Sequence, residues 1–248
     1  MQFDEKWSFV ERKERNCQPE DARRGDCWDH TALDPESRLV VSLVVGKRTA
    51  EAVALVVQDF QRRTGGKVMR LMTSDEYPAY AEAIHSAYGT TVVPERTGRP
   101  GRPRKPYTVL PPEVTYATVH KHRENDRVVR VSTRVVFGTL AAVALALLAS
   151  AVSWVVNTSF VERHNGTDRN RCSRKARKTY AFSKDWDVHA AATRFSHFSY
   201  NFCWPVRTLR VRGENGRWQQ RTPAMAAGLA DHVWPLREWL AYPAVQRT

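Results

Sequence analysis

Apolar residues near the start of the chain alternate with polar ones in a way that predicts strands. The stretch "QFDEKWSFV" places its three aromatic side chains on one side and Asp4 on the other, which predicts a half-buried strand. "DCWDHTALDP" and "RLVVSLVVGKR" predict two more strands, the first ending at the turn signal Asp34-Pro35. Three consecutive strands of this kind predict a meander.

The pattern then changes to a helical period. In "TAEAVALVVQDFQRRTGG" the apolar residues recur at helical spacing until Gly65-Gly66 stops the helix. "KVMRLMTSDEYPAY" predicts a strand that ends at Asp75, after which Pro78 begins a helix that runs to about Gly89. Three strands, a helix and a fourth strand predict an α/β sheet whose catalytic residues lie at strand ends.

Prolines and cations exclude regular structure from "ERTGRPGRPRKPYTVLPP", which we interpret as an exposed basic loop. Its repeated Gly-Arg-Pro, at residues 98–103, contains Arg99 and Arg102 and is followed by Arg104 and Lys105. The repeat resembles an AT-hook, whose arginines lie in the narrow minor groove of A·T tracts. A solvated basic linker is the other interpretation.

A β hairpin is predicted around "YATVHKHRENDRVVRVSTRVVFG", and it leads into 22 uncharged residues at 135–156. That length and hydropathy satisfy the requirements of a transmembrane helix. Alternatively, Gly138-Thr139 divides the end of a strand from a buried helix of about 14 residues, which needs no bilayer. The pattern leaves both interpretations open.

The charge of the chain favours a polyanionic partner. Its 248 residues include 39 lysines and arginines against 26 acids, a formal net charge of +13. Nucleic acid is the first expectation and an anionic membrane surface the second. The four cysteines include no C-x-x-C pair, which argues against a zinc knuckle or a dense disulfide framework and favours free thiols in a reducing cytoplasm.

Glu162 has two interpretations. Ser159 and Glu162 have the S-x-x-E spacing of a helix capping box, in which the glutamate bonds to the backbone of the first turn. The glutamate could instead be a metal ligand near the start of a helix, and it would then need partner carboxylates elsewhere. Asp4 and Asp75, at two predicted strands, are the candidates.

Three segments around these acids resemble one family. "QFDEKWSFV" contains Asp4, "TSDEYPAY" contains Asp75, and "FVERHNGTDRNRCSRKARKTYAFSKDWDVH" contains Glu162. The chain resembles, nearly from end to end, the bacterial transposases of the insertion sequence one family. The resemblance implies a DDE catalytic domain with a ribonuclease H-like fold: an α/β protein with a mixed sheet flanked by helices, and a basic loop and hairpin inserted before the last catalytic helix.

The resemblance also implies a chemistry. Asp4, Asp75 and Glu162 would hold two Mg²⁺ ions, which Mn²⁺ can replace; Asp4 would bridge both and the other two would hold one each. Two such ions clamp the entering and leaving oxygens of a phosphodiester, and hard cations prefer carboxylate oxygens. Water would then cut the strand, and the freed 3′-hydroxyl would attack target DNA. Considered together, the three motifs favour the metal-ligand interpretation of Glu162.

Basic and polar residues are expected to bind DNA, either at the phosphates or beside the scissile strand. For His164, ordinary packing is an equal alternative, and the cations could be solvated surface charges. The expected DNA contacts are Arg99, Arg102, Arg104, Lys105, Arg163, His164, Asn165, Arg174, Lys175, Arg177 and Lys178.

We divide the chain into a first part of the catalytic core at 1–94, the basic loop and hairpin at 95–134, the apolar helix and Glu-bearing part of the core at 135–210, and a helical extension at 211–248. The expected partners are the transposon ends and target DNA, other copies of the chain in a DNA complex, and no membrane, because a bilayer span at 135–156 would separate Glu162 from Asp75. The expected location is the bacterial cytoplasm, at the nucleoid.

The sequence departs from the family at its start. Family members carry a zinc-binding segment and a helix-turn-helix ahead of the first aspartate, and neither precedes Asp4 here. One interpretation, which the resemblance would allow, is that an upstream reading frame supplies end recognition by frameshifting. The alternative is a truncated, non-catalytic remnant that binds DNA or inhibits transposition.

Overall fold

The computed structural model describes residues 1–94 and 104–242, and its centre is a six-stranded mixed sheet. The strands of this sheet are β1 (Gln2–Val10), β2 (Gly25–Leu33), β3 (Val40–Gly46), β4 (Met72–Asp75), β7 (Tyr116–Glu124) and β8 (Arg127–Phe137). Their order is β3-β2-β1-β4-β7-β8. The first three and the last two are antiparallel neighbours, whereas β4 runs parallel to both β1 and β7. The predicted α/β class and mixed sheet are confirmed.

Helices and short strands complete the structure. The helices are α1 (Ala50–Arg63), α2 (Ala79–Tyr88), α3 (Leu140–Leu148), α4 (Ser159–Arg171), α5 (Trp186–Cys203), α6 (Pro223–Ala226) and α7 (Leu236–Ala241). Two small ladders pair β5 (Thr90–Val92) with β6 (Tyr107–Val109), and β9 (Val211–Arg212) with β10 (Trp218–Gln219).

The main hydrophobic core lies between the sheet and the first two helices. Apolar residues of α1 and α2 pack on Phe3, and the rings of Phe3 and Phe60 meet edge to face with centroids 5.5 Å apart. The opposite face of β1 is also buried, although its side chains are polar. Gln2, Lys6 and Ser8 are almost completely covered. The prediction of a half-buried first strand was therefore wrong, because α4 and α5 cover the side on which Asp4 lies.

The predicted hairpin is present as β7 and β8. Asn125 and Asp126 connect the strands with φ values of +47° and +63°, the geometry of a two-residue hairpin turn that asparagine and aspartate tolerate. Gly138 then separates β8 from α3 at φ +83°, where an added Cβ would lie 3.2 Å from the carbonyl oxygen of Val114. The division expected at Gly138-Thr139 is confirmed.

The apolar segment 135–156 differs from both expectations. Its helix, α3, has nine residues rather than about 14, and Val143 is its only buried residue. Leu140 and Leu148 are 78% and 80% exposed. The expectation of a buried helix was wrong because α3 lies in the connection from the edge strand β8 to α4 rather than against a face of the sheet. No helix in the described ranges is both long and apolar enough to cross a membrane.

Candidate metal centre

Two aspartates lie side by side on the central strands. β1 and β4 are parallel, and Gln2 pairs with Thr73 in their register. Two residues further along each strand, Asp4 and Asp75 stand level with each other and, because side chains alternate, on the same face as Gln2 and Thr73. The sheet itself therefore brings together two carboxylates that are far apart in the sequence.

Glu162 approaches the aspartates from the first turn of α4. Its Oε1 atom contacts the ammonium group of Lys121 on β7 and the hydroxyl of Thr158. Ser159 is the first residue of α4 rather than its N-cap, and its hydroxyl donates to Asn157 Oδ1 at 2.7 Å. The capping-box interpretation is wrong, and the carboxylate of Glu162 is turned toward the sheet.

The side-chain amide of Gln2 holds the beginning of α4 against β1. Its Oε1 atom accepts hydrogen bonds from the backbone N–H groups of Phe160 and Val161, both at 3.0 Å, and its Nε2 donates to the carbonyl oxygen of Asn157 at 2.8 Å. The Thr73 hydroxyl donates to the same carbonyl at 3.1 Å. Residues two positions before each aspartate thus fix the helix that presents Glu162.

Replacing Gln2 by methionine should lower the free energy of unfolding by about 2 kcal/mol, because two buried helix N–H groups lose their acceptor. Methionine keeps the length of the side chain and removes only its polar atoms. Urea denaturation measures the change, and Gln58→Met, at an exposed position of α1, is the control. Equal losses in the two variants would show that Gln2 does not hold α4.

Asp4 is the electrostatic centre of the group. Burial, together with the negative charges of Glu5, Asp75 and Glu162, raises the pKa of Asp4 to about 7. Asn165, one turn after Glu162, donates from Nδ2 to Asp4 Oδ2 at 2.7 Å. Its Oδ1 atom is buried without a hydrogen-bond partner among the described residues. Excess negative charge and an unpaired amide oxygen are what a divalent cation with oxygen ligands would satisfy.

Arg48 borders the carboxylates on the side of β2 and β3. Its guanidinium bonds Glu5 Oε2 at 3.1 and 3.2 Å and lies over the rings of Trp28 and Tyr77. The Nη2 atom is also 4.0 Å from Asp75 Oδ2. A positive group, 39% exposed, is thus fixed beside the candidate metal ligands.

A second cluster of ionisable groups lies deeper, between the sheet and the helices α4 and α5. Lys6 and Lys175 each contact Asp29 and Asp168, with Lys175 Nζ at 2.8 Å from Asp29 and 3.1 Å from Asp168. Ligand atoms of Asp29, Asp168 and His197 lie within 4.8 Å of one another, a spacing that could hold a metal. Two ammonium groups already balance the two carboxylates, however, so an added cation would be buried without compensation. We interpret this cluster as structural.

The pKa values in the second cluster agree with that interpretation. Although burial raises the pKa of Asp29, the ammonium groups of Lys175 and Lys6 outweigh it and hold this pKa below its usual range. Burial lowers the pKa of His197 to about 4, so its imidazole is neutral at pH 7. Its Nδ1 lies 3.0 Å from the Thr193 carbonyl oxygen, which satisfies that nitrogen within α5.

Three of the residues expected to bind DNA are placed differently. His164 is buried and packs on the rings of His197 and Tyr200, which agrees with the packing alternative. Lys175 is buried, and its ammonium group contacts two aspartates instead of pointing to solvent. Asn165 is buried and bonds Asp4, which makes it part of the carboxylate site. Each of the three has at least one contact partner that is distant in sequence.

Six of the remaining residues that are expected to bind DNA have side chains that solvent can reach, and the other two lie outside the described residues. Arg174 is half-buried, and Arg99 and Arg102 lie outside the described residues, as does the AT-hook-like repeat. The exposed members are Arg104, Lys105, Arg163, Arg177 and Lys178. Their exposure is what a phosphate contact requires, and a solvated surface charge has the same exposure.

Sequence patterns did not indicate several residues that shape the site. Gln2, Lys121 and Arg48 reach it through contacts that depend on strand register and helix docking. Only Gln2 carried a local signal, because it alternates with Asp4 and so had to share the face of the first strand. Arg48 follows a strand at a turn, where an isolated arginine has no distinguishing pattern.

Comparison of the chain with protein-family models, curated proteins and solved structures finds no match. The site must therefore be interpreted from its own residues and geometry.

Proposed function

We propose that this chain is the catalytic domain of a metal-dependent DDE transposase that cuts and transfers DNA phosphodiester bonds. The observation that supports this most directly is that the charges of Asp75 and Glu162 act on the buried carboxylate of Asp4, which brings together the three acids of the family-like motifs. Asn165, which donates from Nδ2 to Asp4 and whose Oδ1 has no hydrogen-bond partner among the described residues, adds a fourth oxygen-bearing side chain to this group. The mixed sheet with helices on both faces is compatible with a ribonuclease H-like fold.

The residues of the chain fit two Mg²⁺ ions. Asp4 and Asp75 offer carboxylates from rigid strands, and Glu162 offers one from a helix that Gln2 clamps to the sheet. Bound Mg²⁺ would supply positive charge to the entering and leaving oxygens of the phosphodiester. To bind a cation, Glu162 would release Lys121, and Asp4 would lose its proton.

Arg48 suits a role beside the reacting group. Glu5 and two aromatic rings hold its guanidinium in place, so its orientation does not depend on substrate. A planar guanidinium donates well to phosphate oxygens. In this protein its Nη2 atom lies 4.0 Å from Asp75 Oδ2. Arg48 would bind a non-bridging oxygen of the scissile phosphate.

The proposal includes partners and a location. The net charge of +13 supports binding to duplex DNA, at transposon ends and at the target. The exposed leucines of α3 would give a homo-oligomer an apolar contact surface. Such a protein would act at the nucleoid in the bacterial cytoplasm.

A non-catalytic DNA-binding protein is the second candidate. This candidate is favoured by the contact of Lys121 with Glu162, because the ammonium group of Lys121 already pairs with one of the three candidate metal ligands. A metal-binding measurement separates the two candidates without requiring DNA cleavage.

Mn²⁺ binding to the wild-type chain should tighten as the pH rises from 6 to 8 and should disappear in Asp4→Asn. The reason is that Asp4, with a pKa of about 7, must lose its proton before it can bind a cation. Calorimetric titration in buffers of different ionisation enthalpy should detect close to one proton released per site at pH 6 and almost none at pH 8. Absence of Mn²⁺ binding to the wild type at pH 8 would contradict the catalytic proposal.

Asp4→Asn should abolish cation binding but should stabilise the metal-free fold. The pKa of Asp4 is higher in the folded chain than in the unfolded chain, so ionisation destabilises the fold as the pH rises from about 4 to 7. Asp4→Asn should therefore raise the metal-free free energy of unfolding by about 1–3 kcal/mol at pH 8 and change it little at pH 4. Equal effects at both pH values would show that Asp4 carries no raised pKa.

A further inference from the structure

A short arginine-rich hairpin follows α5, and none of the proposed catalytic residues lies in it. We call residues 207–221 the arginine hairpin; they comprise a single helical turn at Arg207–Leu209 followed by β9 and β10. Trp218 pairs with Arg212 and Gln219 with Val211 in its ladder. The turn is ordered by Gly213, which donates to the carbonyl oxygen of Arg217 and accepts from Gly216, both at 2.9 Å.

The base of the arginine hairpin is anchored to the rest of the protein. The backbone N–H of Val206 donates to the carbonyl oxygen of Arg221 at 2.9 Å, and Val206 packs on the small core that contains Val40. Near the end of α5, Asn201 bonds the backbone of Val40 on β3 in both directions. The base of the hairpin is thus anchored beside the edge strand β3, which lies two strands from β1 and Asp4.

Its positive charge is concentrated and uncompensated. Four exposed arginines stand in these residues, and Glu214 is the single acid among them. None of the four forms a salt bridge with a carboxylate in the described ranges, whereas exposed arginines elsewhere, such as Arg62 and Arg63, pair with Asp59. The four are Arg207, Arg210, Arg212 and Arg217.

Trp218 organises two of these charges. Its side chain is 52% exposed, and the guanidinium carbons of Arg210 and Arg212 lie 4.2 and 5.4 Å from its ring centroid. A ring so placed restricts both side chains through cation–π contacts and leaves their N–H groups free to donate. Two like charges held beside one exposed ring repel each other until an anion lies between or over them.

We propose that the arginine hairpin binds the phosphate backbone of duplex DNA, as a second contact apart from the carboxylate site. Charge complementarity supports a polyanion, and the choice of duplex DNA rests on the proposed function. The ordered turn and the tryptophan orient the guanidinium groups in advance, which lowers the entropy lost when they bind phosphates. The hairpin would hold DNA that flanks the reacting strand.

The test is the salt dependence of binding to a fluorescent duplex, measured by anisotropy between 50 and 200 mM KCl in EDTA. Removing two phosphate contacts in Arg210→Gln/Arg212→Gln should flatten the slope of log affinity against log salt by about 1.8, at roughly 0.9 per contact. Arg62→Gln/Arg63→Gln removes the same charge from α1 and should leave the slope unchanged. Circular dichroism confirms that both variants remain folded.

Trp218→Leu gives an independent measurement, because it preserves every charge. It should weaken binding several-fold with little change in slope, since the arginines remain but are no longer oriented. The proposal is overturned if both arginine double variants behave alike, if the wild type does not bind duplex DNA, or if the hairpin variants lose affinity only for RNA or acidic vesicles. EDTA excludes metal-dependent cleavage from all these measurements, so a failure of the hairpin is distinguishable from a failure of the catalytic proposal.

Discussion

Asp75→Asn, in the chain joined to a suitable end-recognition segment, should reduce Mg²⁺-dependent nicking of transposon ends at least about a hundredfold while DNA binding persists. Asparagine keeps the size and one oxygen of aspartate but loses the charge that holds a cation. The lost electrostatic stabilisation of the transition state is several kcal/mol, at about 1.4 kcal/mol per tenfold in rate. Gel-based cleavage of labelled ends measures the rate, and mobility shift measures binding.

Glu76→Gln is the matched control for this experiment. Glu76 directly follows Asp75, but its carboxylate contacts His120 rather than the proposed ligands. The control should keep nearly full activity, which separates loss of a ligand from loss of local negative charge. Equal cleavage by wild type and Asp75→Asn would refute the three-carboxylate site, whereas binding without cleavage by either protein would favour the non-catalytic candidate.

Lys175→Met should cost about 3–5 kcal/mol of unfolding free energy, the largest stability change that we expect. The substitution leaves Asp29 and Asp168 buried with only Lys6 to balance them, and an uncompensated buried charge is costly. Urea denaturation at pH 7 measures the loss. The loss should shrink in acid, because the carboxylate left without a partner is then protonated.

Two further variants test whether the lost ion pairs cause the loss of stability in Lys175→Met. Lys178→Met removes an exposed lysine three residues away and should change stability by less than about 0.5 kcal/mol. Lys175→Met/Asp29→Asn restores the balance of charge and should recover part of the loss. If Lys175→Met instead keeps full stability and weakens DNA binding, then the original interpretation of Lys175 as a phosphate contact is correct.

Most of the elements could be predicted because their signals are local. The alternation around Phe3, the helical spacing before Gly65 and the pattern of the β7–β8 hairpin depend on neighbours a few residues apart. The candidate ligands were found differently, through segments that resemble a family. What these signals omit is the environment of each side chain, because burial depends on segments far away in the sequence.

The errors follow from that omission. Lys175 stands in a run of cations and was assigned to DNA, yet its partner Asp29 is 146 positions away. Residues 135–156 have the hydropathy of a buried or membrane helix, but α3 lies in the connection between β8 and α4, and most of its leucines stay exposed. His164 shows the reverse case, since a polar residue on a polar helix is buried against His197 and Tyr200.

By itself, the sequence determined the α/β class and the positions of β1, α1 and the β7–β8 hairpin, and its resemblance to a family selected three acids as candidate metal ligands. Period and turn chemistry act over a few residues, so no tertiary contact is needed to infer them. Only the tertiary structure decided that Asp4 stands level with Asp75, that Gln2 clamps the helix of Glu162, and that Lys175 is internal. Strand register and helix docking set those relations, and both arise from contacts between segments that the chain brings together only when it folds.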